Sequence, residues 1–161
     1  MKIEHQKTNE ILKWFEEITK IPRCSKNEEK ICAWLLKWAE ENNFDSKMDK
    51  TGNIVIKVPA SAGYENSQAV VIQGHVDMVC EKTPDSDHDF AKDPIKLVYD
   101  GDWLTADRTT LGADNGIAIA MAIVLALDKN IQHPPLELLF TVDEETGLTG
   151  ANALEPGFID G

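Results

Sequence analysis

Two short apolar runs that each end in abrupt polarity constrain this chain more than any other feature. Residues 69–77 read AVVIQGHVD, and residues 136–142 read LELLFTV, followed at once by Asp143, Glu144 and Glu145. Runs of this length and composition are strands buried on both faces. A doubly buried sheet must be covered by other layers, so the expected fold class is α/β: a mixed, largely buried β-sheet flanked by helices. In such sheets polar chemistry gathers beyond the carboxyl ends of the strands. His75 and Asp77 stand at one such end and the three acids at the other.

The remaining segments supply the layers. Residues 8–20 carry Ile11, Leu12, Phe15 and Ile18 at helical spacing, and Ile21-Pro22 closes that helix. Ser25 and Glu28 have the spacing of a capping box for a second helix reaching to about residue 42. Its Ile31, Trp34, Leu35 and Trp38 share one face, which puts both tryptophans in the core. Residues 53–58 alternate as a strand, 59–68 form a turn-rich loop, and Asp100-Gly101 marks a hairpin within 95–105. Residues 117–128 form an alanine-rich buried helix.

Composition narrows the function. The formal net charge is −12, from 28 acidic and 16 basic residues, which argues against nucleic acid and anionic membrane as partners. Cys24, Cys32 and Cys80 have spacings of neither a disulfide framework nor a zinc knuckle. They are expected to be free thiols of a cytoplasmic protein. The opening MKIEHQKTNE has no apolar core, so no signal peptide is expected, and the apolar stretch 117–127 is too short to span a bilayer.

Three places could carry chemistry. Residues two apart on a strand face the same way, so His75 and Asp77 project together, as a ligand and its orienting carboxylate or as a plain strand-end pair. Asp114 lies in T-L-G-A-D-N-G between Gly112 and Gly116, at a loop entering the apolar helix, where it could cap the helix or bridge cations. Glu144 and Glu145 follow a buried strand, and consecutive acids there are costly unless something positive sits among them. As neighbours they point apart and can take different tasks, and Asp143 is left as the turn. Asp85, Asp87 and Asp89 start like a calcium loop, but Phe90 stands where glycine is needed and Lys96 where the bidentate glutamate belongs. His5, His88 and His133 have no supporting spacing. There is no Walker loop, dinucleotide fingerprint or G-x-S-x-G elbow.

Taken in order, G-H-V-D-M-V, T-L-G-A-D-N-G-I-A and D-E-E-T-G resemble the di-zinc metallopeptidases of the aminoacylase and carboxypeptidase-like group. H-D-F-A-K-D-P-I and the opening helices resemble its dipeptidase branch, which acts on Xaa-His dipeptides of the β-alanyl-histidine type. The resemblance implies that His75, Asp114 and Glu145 bind metal, with Asp114 bridging. It makes Asp77 the residue that orients His75, and Glu144 the general base. It implies two Zn²⁺, with Mn²⁺ or Co²⁺ as substitutes, and a small dipeptide as substrate. Related deacylases and tripeptidases share the motifs, and a non-catalytic binding module would keep the fold. The family chain is much longer. It adds a further acidic ligand, a distant histidine and a lid domain through which it forms homodimers. Residues 1–161 are therefore expected to be the N-terminal part of the catalytic domain, and inactive alone.

Overall fold

The computed structural model describes residues 7–161, so His5 lies outside the described residues. In chain order the elements are α1 (Thr8–Thr19), α2 (Glu29–Glu41), β1 (Asp45–Met48), β2 (Ile54–Val58), β3 (Val70–His75), β4 (Leu97–Asp100), β5 (Trp103–Ala106), α3 (Ala113–Leu127), β6 (Leu136–Thr141) and α4 (Thr149–Asn152). A four-stranded sheet has the order β1-β2-β6-β3, and β4 and β5 form a separate hairpin. The sheet is mixed: β1 and β6 each run antiparallel to β2, while β3 runs parallel to β6. The fold is thus the mixed α/β sheet that the two apolar runs imply, but of the two only β6 is buried on both faces: β3 lies at the sheet edge, where Val70 and Gln73 are exposed and Val71 and Ile72 half-buried.

Burial follows strand parity. Ile54, Ile56, Val58, Leu136, Leu138 and Phe140 join Phe15 and Ile18 of α1, Ile31, Leu35 and Trp38 of α2, and Ile119 and Ile123 of α3 in one core. The three long helices therefore share one face of the sheet. On the other face Val55 and Leu139 are also buried, and Glu137 accepts the Asp160 and Gly161 N–H groups as the last residues cross it. All six residues of β6 are buried, as befits a central strand. By contrast β1 is exposed throughout, and its D-S-K-M sequence carries no apolar alternation to betray it. A short, charged strand at a sheet edge discourages pairing with another chain. The hairpin forms where expected, with Gly101 and Asp102 at the turn and Gly101 at φ +59°.

Two expectations need correction. Cys24 and Cys80 are not free thiols but a disulfide, with Cα atoms 5.6 Å apart and 56 residues between them in sequence. Residues 23–25 run alongside Met78, with Arg23 O accepting from Met78 N–H, and this long-range pairing brings the two cysteines together. Cys32 is the free cysteine among the described residues, and its burial pushes the thiol up to about 12. Nor is there a capping box on α2. Glu28 occupies the cap position without a side-chain cap bond. The Ser25 hydroxyl donates instead to Asp77 Oδ2, and the Glu28 carboxylate accepts from the N–H groups of Lys26 and Asp143. Both side chains serve buried groups brought from elsewhere in the chain, and those outbid an exposed helix end.

Candidate metal centre

Parallel pairing of β3 with β6 sets His75 opposite Thr141, and the Val76 N–H donates to Thr141 O. Both strands therefore release their polar sequels at one edge of the sheet. Asp77 is wholly buried there and His75 nearly so. Asp77 Oδ1 lies 3.3 Å from His75 Nδ1 and also accepts the Glu144 N–H at 3.0 Å. Asp77 Oδ2 accepts the Ser25 hydroxyl at 2.7 Å and the Glu145 N–H at 3.2 Å. Burial alone would raise the Asp77 carboxyl, but His75, the two backbone donors and Ser25 outweigh it and hold it well below the usual carboxylate range. Besides facing His75, Asp77 pins the backbone that carries both glutamates.

The opposite nitrogen of the ring faces the acids. His75 Nε2 lies 3.0 Å from Asp114 Oδ1 and 3.8 Å from Glu144 Oε2. Donor atoms of His75, Asp114 and Glu145 all fall within 4.8 Å of one another. His75 forms the floor, and the largely exposed Asp114 and Glu145 form the mouth. Asp114 is not a helix cap. Gly112, at φ +70°, takes the cap position, and Asp114 itself has extended dihedrals that turn its carboxylate to the imidazole. Burial works against protonation of His75, yet its bonds to Asp77 and Asp114 and the charge of Glu144 raise it to about 9. Desolvation raises the Glu145 carboxyl, and the charges of Asp114, Glu144 and Asp77 add to this against the pull of His75. One imidazole among crowded carboxylates, open on one side, is the donor chemistry of a transition-metal or zinc cradle. The residues present fit a divalent cation.

A second trio, Glu28, Asp77 and Asp143, is buried. Each member has protein donors: Glu28 from Lys26 and Asp143 N–H, Asp77 from four groups, and Asp143 from the Thr146 hydroxyl at 2.6 Å. Burial raises the Glu28 carboxyl above its ordinary range. Asp143, at φ +49°, makes the turn from β6 into the glutamates, as the sequence implies. Ser25 and Glu28 thus belong to the surroundings of the site, and so does Arg23. Only a false helix-cap signal marked the first two.

The other candidates stay apart. Asp89 accepts the Ala91 N–H and the Lys92 ammonium within its own loop, and Asp85 lies 3.7 Å from Arg108. His88 packs edge-on against Phe90, and His133 Nδ1 lies 2.8 Å from Pro134 O. No helix among the described residues is long and apolar enough to cross a membrane.

No protein-family model matches the chain. It is 46% identical over 145 residues to the cytosol non-specific dipeptidase of Escherichia coli (strain K12), an alignment covering 90% of this chain and 30% of that protein. The aminoacylhistidine dipeptidase of Vibrio alginolyticus superposes with a TM-score of 0.92 at 46% identity, over 99% of this chain and 33% of that one. An M20 family metallo-carboxypeptidase from Sulfolobus solfataricus shares the fold, with a TM-score of 0.57 at 24% identity over 88% of this chain and 32% of its own. The chain therefore spans about a third of the length of the relatives it matches.

Proposed function

Because the chain is a close homologue of one third of the cytosol non-specific dipeptidase and carries the M20 metallopeptidase fold, we propose that it supplies the cation-holding face of a metal-dependent dipeptidase. The convergence of His75, Asp114 and Glu145 at one sheet edge, with Glu144 beside them, is the observation that carries this reading.

His75, Asp114 and Glu145 would hold two divalent cations, with Asp114 common to both. Imidazole with carboxylates suits Zn²⁺, and the oxygen-rich set also admits Mn²⁺ or Co²⁺. When bound, such a pair polarises the scissile carbonyl and acidifies water at the site. The chain's own residues do the rest. Asp77 faces Nδ1 and so keeps Nε2 directed into the cradle. Its bonds to the Glu144 and Glu145 N–H groups hold both glutamates in place. Glu144, partly exposed and 3.8 Å from the ring, takes a proton from water and returns it to the leaving amine.

The remaining ligands, a lid and a homodimer contact would come from outside these 161 residues. The cytoplasmic location of the enzyme rests on its relative named a cytosol dipeptidase, since Cys24 and Cys80 form a disulfide and no longer count as free thiols. Within that reading the substrate is an Xaa-His dipeptide of the β-alanyl-histidine type. The two relatives divide on this point, one named non-specific and the other aminoacylhistidine dipeptidase, so a panel of dipeptides, tripeptides and N-acyl amino acids on the full-length protein separates the possibilities.

Glu144→Gln in the full-length protein is the decisive substitution. Bound metal should be retained while kcat falls by roughly 10²–10⁴-fold, the usual worth of a general base. Unchanged turnover would sink the assignment of Glu144, and no turnover by the parent on any of these substrates would favour a binding module. The 161-residue chain alone is expected to bind Zn²⁺ weakly and to hydrolyse no dipeptide, which an overnight assay of released amino acid checks.

A further inference from the structure

Arg23 is one of two arginines in the chain, and it is 1% exposed. A buried guanidinium is costly unless its donors are used. Here it spans two loops. Nη1 donates to Val76 O at 3.0 Å and to Asp77 O at 3.1 Å, and Nη2 donates to Gly112 O. The first two carbonyls follow His75 directly, and the third lies two residues before Asp114. Burial lowers the guanidinium to about 10 against the pull of Asp77, so it keeps its charge at neutral pH.

The glycines flanking Asp114 make room for this group. A Cβ at Gly112 would stand 2.5 Å from Nη2, and one at Gly116 would stand 2.7 Å from it and 3.0 Å from Phe15. The spacing G-A-D-N-G thus reflects the space a guanidinium occupies, besides the turn geometry.

We infer that Arg23 is a positioning residue for the cation cradle: its guanidinium ties the His75–Asp77 loop to the Asp114 loop and sets the separation of the imidazole from the bridging carboxylate. This rests on the metal-site reading proposed above. The planar fork matters, because a lysine offers one compact ammonium and cannot span three carbonyls on two loops.

The test uses the full-length protein and its Arg23→Lys, Gly116→Ala and Arg108→Ala variants. Arg108 is a surface residue paired with Asp107 and serves as the control. Zn²⁺ affinity is read by chelator competition, the fold by thermal melting and near-UV circular dichroism, and the reaction by kcat and KM. R23K should stay folded, bind Zn²⁺ about 10–100-fold more weakly, as is usual when a ligand's support is lost, and lose kcat with KM within about twofold. G116A keeps the charge but displaces the guanidinium, and should move the same readings in the same direction. It carries the test should R23K not fold. R108A should match the parent. A folded R23K with parental Zn²⁺ affinity and kcat overturns the role of Arg23. A parent that takes up no Zn²⁺ overturns the metal site itself, and this inference with it.

Discussion

Asp77 accepts from Ser25, from the backbone N–H groups of Glu144 and Glu145, and lies against His75. Three stretches of chain meet on one carboxylate. An amide in its place would turn an NH₂ toward donors that need an acceptor. Asp77→Asn is therefore expected to lower stability by about 1–3 kcal/mol and to weaken Zn²⁺ binding about 10–100-fold in the full-length protein. Thermal melting and chelator competition check this, and a variant equal to the parent in both would remove Asp77 from the centre of the site. The alternation H-V-D was enough to place His75 and Asp77 together, because two-residue periodicity is a local property of strands. The partners of Asp77 were not legible. They come from residues 67 and 68 positions later and from a serine whose spacing imitated a helix cap.

At the scale of elements, the apolar runs that became β6 and α3 announced themselves through burial, and the hairpin through its Asp-Gly. The run that became β3 was legible as a strand, but its apolar residues did not tell a sheet edge from a sheet centre. The strand β1 did not, since an exposed edge needs no apolar face. The four-residue α4 escaped for a related reason: what fixes it is contact, not periodicity. Gly150 donates its N–H to Val142 O, and its carbonyl accepts the Asn53 side-chain amide, whose own oxygen receives the Val142 N–H. A Cβ at position 150 would stand 2.4 Å from both Asn53 Oδ1 and Val142 O. Gly150→Ala must therefore shift the turn that leads from β6 past the glutamates. It is expected to cost about 1–3 kcal/mol, seen as a lower melting temperature of the purified chain. An unchanged melting temperature would show that this turn yields freely.

For the whole molecule, the disulfide is the largest departure from what the sequence implies. Cysteine pairing depends on which distant segments lie side by side, and the pairing of residues 23–25 with Met78 has no local signature. The bond closes a long loop and so restricts the unfolded chain more than the folded one. Dithiothreitol is expected to destabilise the oxidised protein by about 2–4 kcal/mol, read from denaturant midpoints with and without reductant. Coincident midpoints would show that the bond contributes nothing. Fold class and the grouping of His75, Asp114, Glu144 and Glu145 were thus readable from order and phrasing, whereas the scaffold of Arg23, Ser25, Glu28 and Cys24 emerged only in three dimensions.

The position of β6 bears on how such a chain is made. It is the last strand of the sheet in sequence but lies between β2 and β3. While residues 136–141 are still within the ribosome, β2 has one bare edge and β3 has no neighbour in the sheet at all. Unpaired edges of apolar strands invite pairing with other nascent chains. On the proposed metal-site reading, the same delay applies to the cradle: His75 is synthesised early, but Glu145 arrives only after β6 has emerged. Assembly of the cradle is thus coupled to completion of the sheet, and a nascent chain that has not yet inserted its central strand has no complete trio with which to scavenge metal.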